Sequence, residues 1–187
     1  LVTCATIAQS FMLVVTMPLG GISAGTGTIL AYNYGARRRD RILKAQGFIA
    51  ILCVAYVTAL FLLSRLGGGL FVALFTTEPA LAAEALDAIH VCTLAIIPLG
   101  IQYAIVDGFT GMGKVQVSLP LSAFRKVVYF IALFALPAAF GARATFYAEP
   151  ISDILGPIVS VAVYALVIRR LLNFPPAPPA GEEPIPS

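Results

Sequence analysis

The chain has 187 residues, 59% of them hydrophobic, with twelve Lys and Arg against nine Asp and Glu. A typical soluble domain is about half apolar and about one quarter charged. At 11% charged residues and a mean hydropathy of +0.94, a disordered chain is excluded. An ordinary water-soluble enzyme is disfavoured too, because its surface could not be solvated.

Taken in chain order, the first charge, Arg37, follows 36 uncharged residues, more than the roughly 20 that cross a bilayer as a helix. The remaining charges mark off apolar stretches at 45–64 (carried on by 66–77), 88–106, 127–142 and 154–168. The shorter ones can borrow flanking residues whose side chains snorkel. The alternation of a membrane barrel is absent. The sequence therefore predicts an all-α integral membrane protein with five transmembrane helices in one bundle over 1–172. Within it, Gly67-Gly68-Gly69 predicts a flexible or re-entrant break, and Pro98 with Gly100 an interruption of the third span. Cys4, Cys53 and Cys92 lie in apolar stretches and read as small buried side chains, neither a disulfide framework nor a metal site. Residues 173–187 hold six prolines beside Glu182-Glu183, the composition of a flexible tail.

Orientation follows from the basic residues. The segment Arg37-Arg38-Arg39-Asp40-Arg41, with Lys44 close behind, places the first loop in the cytoplasm. Alternation then puts Glu78, Glu84 and Asp87 outside, Lys114 with Arg125-Lys126 inside, 143–149 outside, and Arg169-Arg170 inside. Ten of the twelve basic residues fall on the cytoplasmic side, all but Arg65 and Arg143. Arg125 is expected to mark the cytoplasmic end of the fourth span, and the 37–44 cluster to anchor the bundle to anionic lipid. The charge of +3 thus reflects membrane orientation and gives no support to nucleic-acid binding. An outside N-terminus that opens directly on an apolar helix, with neither a start methionine nor a basic leader, predicts a fragment with at least one helix upstream.

Motifs for soluble chemistry are missing: no Walker loop, no HExxH, no paired metal-ligand spacing. Gly21-Ile22-Ser23-Ala24-Gly25 matches the GxSxG pattern of a nucleophile elbow, but that elbow needs a strand–turn–helix context. Here Gly21, Gly25, Thr28 and Tyr32 read as a stripe for close helix packing. His90, beside Asp87, reads as an interfacial residue, and Ser152-Asp153 as a helix N-terminus where an acid complements the dipole.

Asp107 carries the sharper signal. It lies seven residues before Lys114, roughly 10 Å along a helix, within the cytoplasmic half of the hydrocarbon. An acid there costs a few kcal/mol unless it faces a cavity or a partner. Low-dielectric surroundings favour the protonated form of a carboxyl, as coupling to a proton gradient requires. Gly100, Tyr103, Asp107 and Gly111 share a helical face, and Gln102 adjoins it. The competing reading is that Asp107 snorkels or pairs with Lys114.

Gly21-Ile22-Ser23-Ala24-Gly25 running into Ala31-Tyr32-Asn33-Tyr34-Gly35-Ala36, then a basic stretch with Arg41 and Lys44, resembles the second helix of the C-terminal lobe in the multidrug and toxic compound extrusion (MATE) family, in its MepA/DinF-like bacterial branch. Leu74-Phe75-Thr76, Pro98-Leu99-Gly100, Gly111-Met112-Gly113-Lys114, Arg125 and Ala148-Glu149-Pro150-Ile151-Ser152-Asp153 follow in matching order. The resemblance implies a twelve-helix transporter of two six-helix lobes in the bacterial inner membrane, working by alternating access. It exports cationic or amphiphilic compounds in exchange for H⁺ or Na⁺, with no cofactor. The five spans would be helices eight to twelve, an incomplete six-helix lobe lacking helix seven and the N-terminal lobe. The substrate and ion pathway would run past Asp107, Tyr103 and Gln102. The family's glutamines near Thr26–Gly27 and near Thr110 are replaced in this sequence. Two other classes stay open: a lipid-linked oligosaccharide flippase of the same superfamily, and an intramembrane serine hydrolase using Ser23 and His90.

Overall fold

A computed structural model describes residues 2–173, and the expected Pro-rich tail lies outside them from residue 174 onward. The described residues form helices α1 (Val2–Gly25), α2 (Gly27–Gly35), α3 (Arg39–Ala73), α4 (Pro79–Cys92), α5 (Ile96–Gly111), α6 (Val115–Phe140) and α7 (Ala148–Leu171), with a 3₁₀ turn at Ala142–Tyr147 before α7. Four segments are long and apolar enough to cross a membrane, α1 with α2 counting as one; α4 and α5, bent by 48°, make a fifth as a broken span. This is the all-α, five-span bundle the hydropathy predicts.

Several expected features move. The break in the α4–α5 span falls at Thr93–Ala95, upstream of Pro98, which sits in the first turn of α5 where a missing N–H costs nothing. The Thr93 hydroxyl closes the end of α4 by donating to the Ile89 carbonyl at 2.8 Å. Gly67-Gly68-Gly69 is no break: all three continue α3. Gly68 is there for packing, since a Cβ on it would come within 2.7 Å of the Leu86 side chain on α4. Arg125 does not end its span, because α6 begins at Val115 and places it ten residues inside the helix.

Proline within α1 shows how the bundle repairs its own backbone. Pro18 has no N–H for the Val14 carbonyl one turn earlier, and an orphan carbonyl in hydrocarbon costs several kcal/mol. Tyr56 of α3 supplies the donor, its hydroxyl meeting the Val14 oxygen at 2.8 Å.

Helix α5 is the hub, packed against α1, α2, α3, α6 and α7. Two buried glutamines lock it in place. Gln46 of α3 lies on Gly108 and donates to the Ala104 carbonyl at 2.6 Å; Gln102 of α5 lies on Gly156 of α7, where a Cβ would come within 2.6 Å of the Gln102 Oε1. The end of α5 meets α2 backbone to backbone, a Cβ on Gly111 falling 2.8 Å from the Gly27 oxygen. Gly113, at φ +73°, then turns the chain out of α5 in a left-handed conformation that favours glycine.

Both ends of the bundle carry ionic or cation–π contacts. At one end the Lys114 ammonium lies 5.3 Å from the Tyr34 ring centroid, close to the basic 37–41 loop, whose residues are exposed. At the other, Arg143 pairs with Glu84. This sorts Lys114 with the basic loop and Arg143 with the acidic one, as the charge pattern requires. The basic end holds eight Lys and Arg (37, 38, 39, 41, 44, 114, 169 and 170) rather than ten, since Arg125 and Lys126 lie within α6.

Candidate functional site

Asp107, expected within a span, and Asp153, expected at a helix N-terminus, have different surroundings. Asp107, half-buried on α5, accepts a hydrogen bond from the Ser23 hydroxyl of α1. The Leu19 and Gly20 carbonyls, at 3.1 and 3.3 Å, compete for the same proton. Ser23 lies twelve residues before the end of α2 at Gly35, roughly 18 Å along a helical axis, so this contact holds Asp107 well inside the bundle. No Asp107–Lys114 ion pair forms among the described residues, and the Lys114 ammonium lies over Tyr34 instead. The same bond accounts for Ser23: it sits in an unbroken helix and partners a carboxylate, while His90 Nε2 meets the Ser64 carbonyl at 3.0 Å on a different pair of helices.

Asp107 opens on a cavity of about 160 Å³ with Gln102, Tyr103, Val106, Ser122, Arg125 and Lys126 on its wall. The predicted trio of Asp107, Tyr103 and Gln102 is thus brought together. A second cavity of about 160 Å³ shares Tyr103, Arg125 and Lys126 and adds Gln9 and Glu149, which are hydrogen-bonded to each other at 3.2 Å. Arg125 is on the wall of both, its guanidinium carbon 6.0 Å from the Tyr103 ring centroid.

The partner of Arg125 is not visible in the sequence. Its Nη1 lies 3.1 Å from Asp153 Oδ1, with 15% and 0% of the two side chains exposed. Asp153, five residues past the start of α7, is therefore not a helix-end acid but half of a buried ion pair between α6 and α7. Its second oxygen, Oδ2, and both polar atoms of Gln102 are buried with no hydrogen-bond partner among the described residues.

The motif residues of α1 and α2 scatter. A Cβ on Gly21 or Gly25 would meet nothing within 4 Å, and Tyr32 is 73% exposed, so the expected packing stripe has no partner helix among the described residues. The break at Thr26 explains this, because α5 packs on Gly27 instead. Asn33 is buried and donates to the Ile29 carbonyl at 2.8 Å, while Tyr34 lies beneath Lys114. Gly35 and Ala36 close α2, and Arg37 leaves it at φ +52°, its cation next to the negative end of the helix dipole.

The MatE family model matches residues 2–134. The chain belongs to the MatE family. Three solved structures are similar. One, a multidrug resistance MATE family transporter of the MOP superfamily in an inward-facing conformation, superposes with a TM-score of 0.80 at 18% identity, over 88% of this chain and 39% of its own. A MATE protein in complex with MaL6 gives 0.85 at 18% identity, over 92% of this chain and 40% of its own. The MATE multidrug transporter DinF-BH, solved as a complex, gives 0.79 at 25% identity, over 89% of this chain and 37% of its own. No curated protein sequence matches. The MatE chain thus spans about two fifths of the length of the transporters it superposes on, and its five spans correspond to an incomplete lobe of that fold.

Proposed function

We propose that this MatE chain is the helical lobe, helices eight to twelve, of an antiporter in the bacterial inner membrane. The antiporter exports cationic or amphiphilic compounds in exchange for H⁺ or Na⁺, and the N-terminal lobe and helix seven complete it. The basic end faces the cytoplasm and anionic lipid. One observation carries the reading: Asp107 is a carboxylate within a span, held by a neutral hydroxyl and lining a cavity with Tyr103 and Gln102. A carboxylate without a counter-ion in such a place is suited to exchanging a proton or sodium ion for a cationic compound, and the Tyr103 ring adds a face for cation–π contact. Asp107 and Glu149 balance Arg125 and Lys126 on the walls of the two cavities, and Asp153, paired to Arg125 from outside them, leaves one negative charge in excess, which favours cationic cargo over the anionic head group a flippase would carry.

The test is Asp107→Asn in the complete transporter, which keeps shape and removes the charge. Resistance to lipophilic-cation drugs should be abolished at unchanged membrane abundance. Wild-type resistance in the Asn variant would move the coupling site out of this chain.

A further inference from the structure

Arg125 poses a problem for a cavity that is to hold a cation. The residue lines both cavities, and a lone positive charge there would cancel the negative one that Asp107 contributes. Lys126 is less of an obstacle: the residue is exposed, and its ammonium lies 6.0 Å from the ring centroid of Tyr129, one turn further along α6. What offsets Arg125 is Asp153. That carboxylate lines neither cavity and is fully buried, yet it lies 3.1 Å from the guanidinium. Arg125 connects it to the cavity wall.

We propose that Asp153 sets the charge selectivity of the Asp107 cavity by neutralising Arg125 from behind, so that a cation is accepted and an anion of the same shape is refused. Asp153 is a specificity-determining residue acting through its partner, and the inference rests on the reading of Asp107 as the anchor of a cationic cargo. The geometry around the pair suits the role. Arg125 makes one bond to Asp153 through a single nitrogen, although a guanidinium has five N–H donors. A purely structural Arg–carboxylate link would favour the bidentate fork. Arg125 itself is on the wall of both cavities, where an unmasked guanidinium could receive an anion. Gly156, one turn after Asp153, keeps Gln102 and the Arg125 stem against α7, since a Cβ there would come within 2.6 Å of the Gln102 amide and 3.1 Å of Arg125 Cγ. This close packing keeps the pair in place at the cavity wall.

The probes are tetraphenylphosphonium and tetraphenylborate, near-identical in shape and opposite in charge, titrated against the purified complete transporter in lipid nanodiscs. The wild type should prefer the cation. Asp153→Asn, which unmasks Arg125, should shift the ratio of the two affinities toward the anion by at least tenfold. Arg125→Gln together with Asp153→Asn removes both charges and should return the ratio to within about twofold of wild type. Where Asp153→Asn alone does not fold, Arg125→Lys with Asp153→Asn carries the same unpaired charge on a stem that can snorkel, and should show the same shift. A ratio unchanged in the unmasked variants, or a double-neutral variant that fails to recover it, overturns the proposal. Asp107→Asn is the separate control. If it leaves the wild-type cation preference intact, the reading of Asp107 fails, whatever Asp153 does.

Discussion

The Ser23–Asp107 contact and the Arg125–Asp153 pair put the same residue type to two uses. Asp107 has a neutral partner and a cavity in front of it; Asp153 has a cationic partner and is fully buried. The first arrangement leaves a charge available to a ligand. The second consumes the charge internally and joins α6 to α7. Depth in a membrane does not by itself tell what an acid does: one with a neutral partner can meet a ligand directly, whereas one paired to a cation acts only through that partner.

The largest effect that could break this comparison is on stability. Asp153→Ala strands the Arg125 guanidinium at 15% exposure, and losing one partner of a buried pair costs about 3–5 kcal/mol. Asp107→Asn loses at most the charge-assisted share of one hydrogen bond, about 1 kcal/mol. Thermal unfolding of the purified protein in detergent should therefore show a large drop in Tm for Asp153→Ala and a small one for Asp107→Asn. Equal drops would erase the distinction. A smaller effect sharpens it, by asking what a purely structural polar contact contributes here. Tyr56→Phe removes the donor that Pro18 denies to the Val14 carbonyl. It should cost about 1–3 kcal/mol and leave drug efflux per folded molecule unchanged. A loss of efflux at full stability would give Tyr56 a role in transport.

Much of this was legible in the sequence, for identifiable reasons. A run of 36 uncharged residues has few other uses than a bilayer span, and Asp107 stood out as an acid in an otherwise apolar stretch. Glycines were harder to read, because their meaning depends on what approaches them. Gly68 continues a helix and receives Leu86, whereas Gly25 faces open space. The Arg125–Asp153 pair was hidden for a geometric reason. Arg125 lies fifteen residues from the end of α6 at Phe140, and Asp153 five from the start of α7 at Ala148. Counting residues from the connecting turn therefore sets them at different depths. Their side chains nevertheless meet at 3.1 Å, a contact that spacing alone does not show. Adjacency to Lys126 hides the pair further, because two successive basic residues resemble the end of a span.

Reaction with dicyclohexylcarbodiimide, an apolar reagent that couples to carboxyl groups within lipid, tests the central contrast most directly. The complete transporter would be treated in membranes, and the adducts located by mass spectrometry with and without a lipophilic cation. An adduct is expected at Asp107 that the cation suppresses, and none at Asp153. An adduct at Asp153 with Asp107 unmodified would contradict that contrast.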